Sequence, residues 1–247
     1  MDMDTERLLR HFHEAVEPVV PLVALWAHGS LATGDDYQPG RSDLDLIAIV
    51  ESPLTEDRRQ ALRRMHEGIT LPLAEHLHCS YLARRELADL SAQHVTWAHQ
   101  ELFSRPVTAV TRRELHAGGR VLAGPPPAGL LPPVSDAELA AFVRADLRDF
   151  WLAKARGRRR WLRDIWVDLG MVTVARATVT LRDGRLISKR EAFEVLAELG
   201  APMNVVDDVR ARRYGTPAPR LSRFRRAMLA RRFIRTAIKR ALASASA

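Results

Sequence analysis

The chain has 247 residues, 47% of them hydrophobic and 28% charged, a globular composition long enough for one large or two small domains. No run approaches 18 uncharged apolar residues, which argues against a membrane span, and the acidic opening "MDMDTERLLR" lacks the apolar centre of a signal peptide. The net charge of +8 is unevenly spread: 13 basic and 19 acidic residues up to Asp136, then 25 basic and 11 acidic from residue 138 on. Such a split suggests two domains and a polyanionic ligand, either nucleotide phosphates or nucleic acid. Nearly all the positive charge is arginine, a bias that a GC-rich genome would also produce. The single cysteine, Cys79, suits a reducing cytosol, so a cytoplasmic location is expected.

Along the first half, helical patterns around 4–16, 55–68 and 84–101 alternate with strand-like runs: "LVALWAH" (Leu22 to His28), "LDLIAIV" (Leu44 to Val50) and "HLHCSYL" (His76 to Leu82). "VLAGPPPAGLLPPVS" (Val121 to Ser135) reads as a Pro/Gly-rich linker. The expected division is a domain over 1–122, a linker over 123–134 and a helical domain over 135–247. In that last domain helices are expected at roughly 135–157, 161–181, 188–199, 203–213 and 219–243. Ser135 with Glu138 and Ser188 with Glu191 have the spacing of capping boxes, and Gly184 and Gly200 stand where helices should stop. The closing "SASA" reads as a frayed tail. Near the C-terminus, Leu221, Phe224, Met228, Ile234, Ile238 and Leu242 fall near helical spacing between arginines. That stripe predicts a core-facing helix with a solvated basic back; nucleic acid or an anionic membrane are the alternatives.

The chemistry concentrates in "HGSLATGDDYQPGRSDLDLIAIV", residues 28–50. Strand alternation sends Asp43 and Asp45 to one face and Leu44 and Leu46 to the other. Two carboxylates together repel and are costly to desolvate. A Mg²⁺ ion, which takes one or two carboxylates plus substrate phosphates, resolves both problems; the plain alternative is a pair of strand-edge caps. Gly29-Ser30, ending the preceding strand, offers close backbone approach and an anion cradle at a helix start. Alone it would be an ordinary turn, but Asp-x-Asp follows 13 residues after Ser30.

This stretch resembles the Gly-Ser … Asp-x-Asp signature of the DNA polymerase β-like nucleotidyltransferase superfamily. Within it, the chain resembles the streptomycin/spectinomycin adenylyltransferases. "ARATVTLRDGRLISKREAF" (Ala175 to Phe193) is similar to their Ala-Arg … Gly-Lys-x-x-x-Lys segment, with Arg176, Gly184 and Lys189 in register, and "VLAGPPP" is similar to their linker. The resemblance implies an α+β nucleotidyltransferase domain with a mixed sheet, followed by an all-α helical bundle. It implies an enzyme that binds ATP and Mg²⁺ between its domains and transfers AMP to a hydroxyl of an aminoglycoside-like antibiotic. Asp43 and Asp45 would hold Mg²⁺, Gly29 and Ser30 would contact the triphosphate, and Lys189 would reach a phosphate oxygen. Lys189, one of three lysines, also begins a helix, where anions are attracted; it could instead be a solvated lysine. Arg176 is a phosphate contact, an interdomain contact or structural.

The family places a third acid in a Leu-Glu-x-Ser-Tyr type of segment, to take the proton of the attacking hydroxyl. Here the segment is "LHCSY", and His78 stands in the glutamate's place. His76, His78 and Ser80 share one strand face. Three readings stay open: His78 is the base, since imidazole titrates near neutrality; Glu75 supplies the carboxylate by a register slip, against the alternation; or transfer is lost and a nucleotide is only bound. The family also holds its cationic drug with tryptophan and acidic residues. "RRRWLRDIWVDLG" offers Trp161, Asp164, Trp166 and Asp168, although aromatics on an amphipathic helix are usually core and the flanking "GRRRW" would repel a polycation. The expected partners are a nucleoside triphosphate and a small-molecule hydroxyl acceptor, with no membrane and a monomer or homodimer. The alternatives are a nucleotide- or nucleic-acid-binding regulator on this fold, or transfer to a protein or tRNA.

Overall fold

A computed structural model describes residues 2–33, 36–217 and 221–244. It divides into two compact units, Met1–Val134 and Ser135–Ala247. The fold class is α+β: a mixed six-stranded sheet with helices in the first unit, helices throughout the second.

In the first unit, α1 (Met3–Val16) starts at Asp2, whose side chain caps Thr5 N, and turns Leu8, Leu9, Phe12 and Val16 inward. Strands β1 (Leu22–Ala27), β2 (Leu44–Val50), β3 (Leu77–Ala83), β4 (His94–Ala98), β5 (Glu101–Arg105) and β6 (Arg120–Ala123) form one sheet in the order β5-β4-β3-β2-β1-β6. Among the described strands only β2 and β3 pair in parallel. Such a pair needs a crossover, and α3 (Glu56–Glu67) lies in it; the short α2 (Ser30–Thr33) precedes β2. Alternation sorts the sheet's two faces. Leu44, Leu46, Ala48, Leu77, Cys79 and Tyr81 pack with Leu8, Phe12 and Leu62 of α1 and α3. Trp26, Ile47, Ile49 and Leu82 pack with Leu115 of α4 (Ala109–Gly118) and with Leu131. Every residue of β3 is buried, as expected of a central strand covered on both sides.

Two stretches differ from their sequence reading. The helical pattern at 84–101 is a short 3₁₀ turn, Arg84–Glu86, followed by β4 and a hairpin. Val95 and Trp97 bury on one face while His94 and Thr96 bury on the other, so period two wins there. The connecting loop is tied down by the buried Arg112, which donates to the carbonyls of Leu87, Asp89 and Val107. The Pro/Gly-rich stretch packs with the first unit: β6 pairs with β1, and Trp26 Nε1 donates to Pro125 O at 2.8 Å. Gly124 (φ 71°) is required there, because a Cβ would stand 2.1 Å from Val23 O.

In the second unit, α5 (Asp136–Ala145) runs through a π-helical stretch, Asp146–Trp151, into α6 (Leu152–Lys154). Then come α7 (Asp164–Asp183), α8 (Lys189–Glu198), α9 (Met203–Tyr214) and α10 (Arg223–Ser244). Both capping boxes form, at Ser135 and Ser188, and Gly184 ends α7 in the left-handed region. α10 packs on α7, and a Cβ on Gly170 would fall 2.8 Å from Ile234 Cδ1 and 2.9 Å from the Trp161 ring. The buried residues of α10 are Arg226, Ala227, Ala230, Ile234, Ala237, Ile238 and Ala241, four of them alanine. Phe224 and Met228, expected inside, are exposed. The "SASA" tail, except Ser244, lies outside the described residues. No described helix is long and apolar enough to cross a membrane.

Candidate active site

The site of the first unit stands where β1 ends and β2 and β3 begin. β1 gives way to Gly29, whose φ of 65° turns the chain into α2 at Ser30. His28 N donates to Asp45 O at 3.0 Å, so the Gly29 turn is tied directly to the start of β2. A Cβ on Gly29 would stand 3.3 Å from Asp45 Oδ2. The turn and the carboxylate are fitted to one another, and the fit requires glycine.

Parallel pairing sets Asp45 opposite His78. Both side chains project from the face shared by Ile47 and Leu82, so His78 reaches the two carboxylates. Its Nδ1 is 3.4 Å from Asp45 Oδ1 and its Nε2 is 3.8 Å from Asp43 Oδ1. The histidine is 6% exposed, whereas Asp43 and Asp45 are 47% and 31% exposed. The carboxylates face solvent and the imidazole lies behind them. Nε2 is buried without a hydrogen-bond partner. Ser80, on the same face, is turned away into a hydrogen bond with Thr96 Oγ1 at 2.9 Å.

Two neighbours of this site were not expected from the motifs. The His99 ring meets the His78 ring edge-on, with centroids 4.7 Å apart. His28 Nδ1 lies 3.3 Å from Glu114 Oε2 of α4. His99 belongs to the β4–β5 turn, inside the stretch read as helix, and the signal that would have found it is the period-two run "HVTWA" before it. Glu75 sits exposed in the 3₁₀ turn Ala74–His76, 3.6 Å from His76, and its strand-face argument does not apply because the strand starts at Leu77.

The residues present fit a Mg²⁺ carried in by a triphosphate. Asp43 and Asp45 are half-buried hard-oxygen donors, and Mg²⁺ usually takes its remaining ligands from phosphates and water. Among the described residues no group of three or more His, Cys, Asp or Glu is arranged to hold a metal alone.

Arg176 and Lys189 belong to the second unit. Arg176 Nε donates to Ile187 O at 2.8 Å, fastening the loop that leads to Lys189, the first residue of α8. The proposed drug-binding residues have structural partners. Trp161 is fully buried and donates to Lys154 O. Asp168 receives Arg212 at 2.6 Å, and Asp164 pairs with Arg226. Trp166 packs near Phe150 and Trp151, with the Arg160 guanidinium 5.0 Å from its ring centre.

No family model matches the chain, and no curated protein matches its sequence. Its fold is similar to that of the spectinomycin adenyltransferase AAD(9) from Enterococcus faecialis, solved with ATP and spectinomycin, with a TM-score of 0.71. The match covers 96% of this chain and 98% of that one at 12% identity. The resemblance carried by the motifs thus extends to the fold of nearly the whole chain.

Proposed function

We propose that this chain is a Mg²⁺-dependent nucleotidyltransferase that moves AMP from ATP to a hydroxyl of a small molecule of the aminoglycoside class. The observation that carries the reading is the gathering of Asp43, Asp45 and His78 beside the left-handed turn at Gly29. Asp43 and Asp45 would hold the metal, which when bound neutralises phosphate charge and polarises the α-phosphorus. The Gly29-Ser30 turn would receive the triphosphate, whose approach needs a backbone without a side chain. Arg176 and Lys189 would bind phosphate oxygens, as the family resemblance implies. The acceptor hydroxyl attacks the α-phosphorus, pyrophosphate leaves, and the hydroxyl proton passes to a base.

His78 is the base in this reading. With Nδ1 3.4 Å from Asp45, a proton on that nitrogen points at a carboxylate and leaves the Nε2 lone pair to accept. General-base contributions are typically 10²–10⁴-fold. A second reading, nucleotide binding with little transfer, is favoured by the burial of Nε2 behind Asp43.

Labelled ATP, Mg²⁺ and a panel of aminoglycosides and spectinomycin test the proposal. Adenylylated drug that disappears in Asp43→Ala supports transfer. Bound nucleotide with no transfer to any acceptor leaves the second reading. His78→Glu separates the two further: a collapse in rate marks His78 as the working base, and a gain marks a compromised site.

A further inference from the structure

The second unit carries a concentration of positive charge beyond the residues assigned to the proposed transfer. From Val209 to the C-terminus there are 12 arginine and lysine residues and no aspartate or glutamate. Because α10 buries its alanine stripe against the bundle, it presents Arg225, Met228, Arg232, Thr236 and Lys239 to solvent. These stand at steps of three and four, one continuous helix face. A second basic run lies alongside. Arg231 Nε donates to Ala155 O at 2.9 Å and Arg223 Nη2 to Leu162 O at 3.2 Å. Those bonds fasten residues 155–162 to the first half of α10, and Arg156, Arg158 and Arg159 of that segment are exposed. Burial chiefly, and the neighbouring Arg235 and Arg158 after it, lower the pKa of Arg231. Between the two runs lies a recess of about 500 Å³, lined by Leu162, Phe224 and Met228 and by Arg158, Arg159 and Arg231. Phe224 is 77% exposed.

We propose that this face of the helical unit binds single-stranded nucleic acid, with phosphates along the two arginine rows and a base stacked on Phe224. Clustered guanidinium groups without carboxylates repel one another, and a polyanion offsets that cost. Guanidinium forks match phosphate oxygens and stack on planar rings. An aromatic ring beside a basic track accepts any base, because every base has a π-face. A membrane fits less well. Interfacial helices insert a broad apolar face, whereas the apolar stripe of α10 is already buried, leaving two apolar side chains at the rim of a recess. The inference does not depend on the transfer reaction.

The test uses the full chain and fluorescent oligo-U and oligo-dT, followed by anisotropy across a salt series. We expect saturable binding that excess ATP does not displace, with a log–log salt slope of about −3, as about four phosphate contacts give at about −0.7 each. Arg232→Glu with Lys239→Glu should weaken binding at least tenfold and flatten the slope. Phe224→Ala should weaken it about fivefold or more without changing the slope. Stronger binding of oligo-U than oligo-dT adds a 2′-hydroxyl contact. Circular dichroism and ATP affinity should be unchanged in each variant; should the charge reversals fail to fold, Phe224→Ala and Arg232→Gln carry the test. Absence of binding at low salt, displacement by ATP, affinity untouched by these variants, or binding to phosphatidylserine vesicles but not to oligonucleotides would each overturn the proposal.

Discussion

Replacing Gly29 with alanine tests how the turn after β1 holds the site. Gly29 lies at φ 65°, in the left-handed region where a side chain costs roughly 1–2 kcal/mol. The new methyl would also stand 3.3 Å from Asp45 Oδ2, tighter than ordinary contact, so the carboxylate must give way. Gly200 supplies the control. It lies at φ 72° with nothing within 4 Å of the position its Cβ would take. Both variants should therefore lose about 1–2 kcal/mol in urea denaturation from the backbone alone. Only Gly29→Ala should impair the site. A displacement of about 1 Å can cost about 10²-fold in rate, and the carboxylate has to yield by less than that, so a loss of about threefold to tenfold in AMP transfer is expected. Should no acceptor be found, ATP affinity in the presence of Mg²⁺, measured by calorimetry, reads the same effect. Equal function in the two variants would refute the claim that Gly29 spaces Asp45 from the turn.

Two further outcomes concern stability. Asp208 is 4% exposed and receives Arg212 at 2.6 Å, with Arg226 at 3.7 Å; Arg212 and Arg226 keep Asp168 and Asp164, so Asp208→Asn should cost about 1–3 kcal/mol. A urea midpoint equal to that of the parent chain would show the network to be dispensable. Burial holds the His66 imidazole well below its usual range, at about 3, so the fold favours the neutral ring. The unfolded chain then binds the extra proton as pH falls below about 6.5. Stability from this group is complete above that pH and is lost progressively between about 6.5 and 3. His66→Gln should reduce the fall in urea midpoint measured from pH 7 to 5; an unchanged fall would assign the acid sensitivity elsewhere, with His94, whose pKa burial also lowers, the next candidate.

The Asp-x-Asp pair, the Gly-Ser turn and the facing of His78 were legible in the sequence because each depends on local geometry. Side chains alternate along a strand, which sets the face of each residue, whereas the placing of Asp45 opposite His78 came from parallel pairing of two strands far apart in sequence. The capping boxes were legible for the same reason, since three-residue spacing and a Ser–Glu pair suffice. The β4–β5 hairpin was not. Leu87 and Leu90 mimic helical spacing, and the turn uses His99 and Gln100 at φ 53° and 61°, where the usual signal is Asn-Gly. Missing that hairpin also hid His99, the ring set against His78.

What the chain determined by itself is the periodicity, the caps and the residue types from which a triphosphate and metal site is proposed. Tertiary packing decided the rest. The β6 edge forms because Val121 and Ala123 find partners on β1, a pairing far away in sequence. The α7–α10 contact closes over Gly170, whose missing side chain leaves room for Ile234 of α10 and for the Trp161 ring, while Phe224 and Met228 of the same helix stand exposed. Hydrophobicity alone would have buried those two residues. A glycine on one helix admits a large side chain from the other, and that fit exists only once the two helices have met.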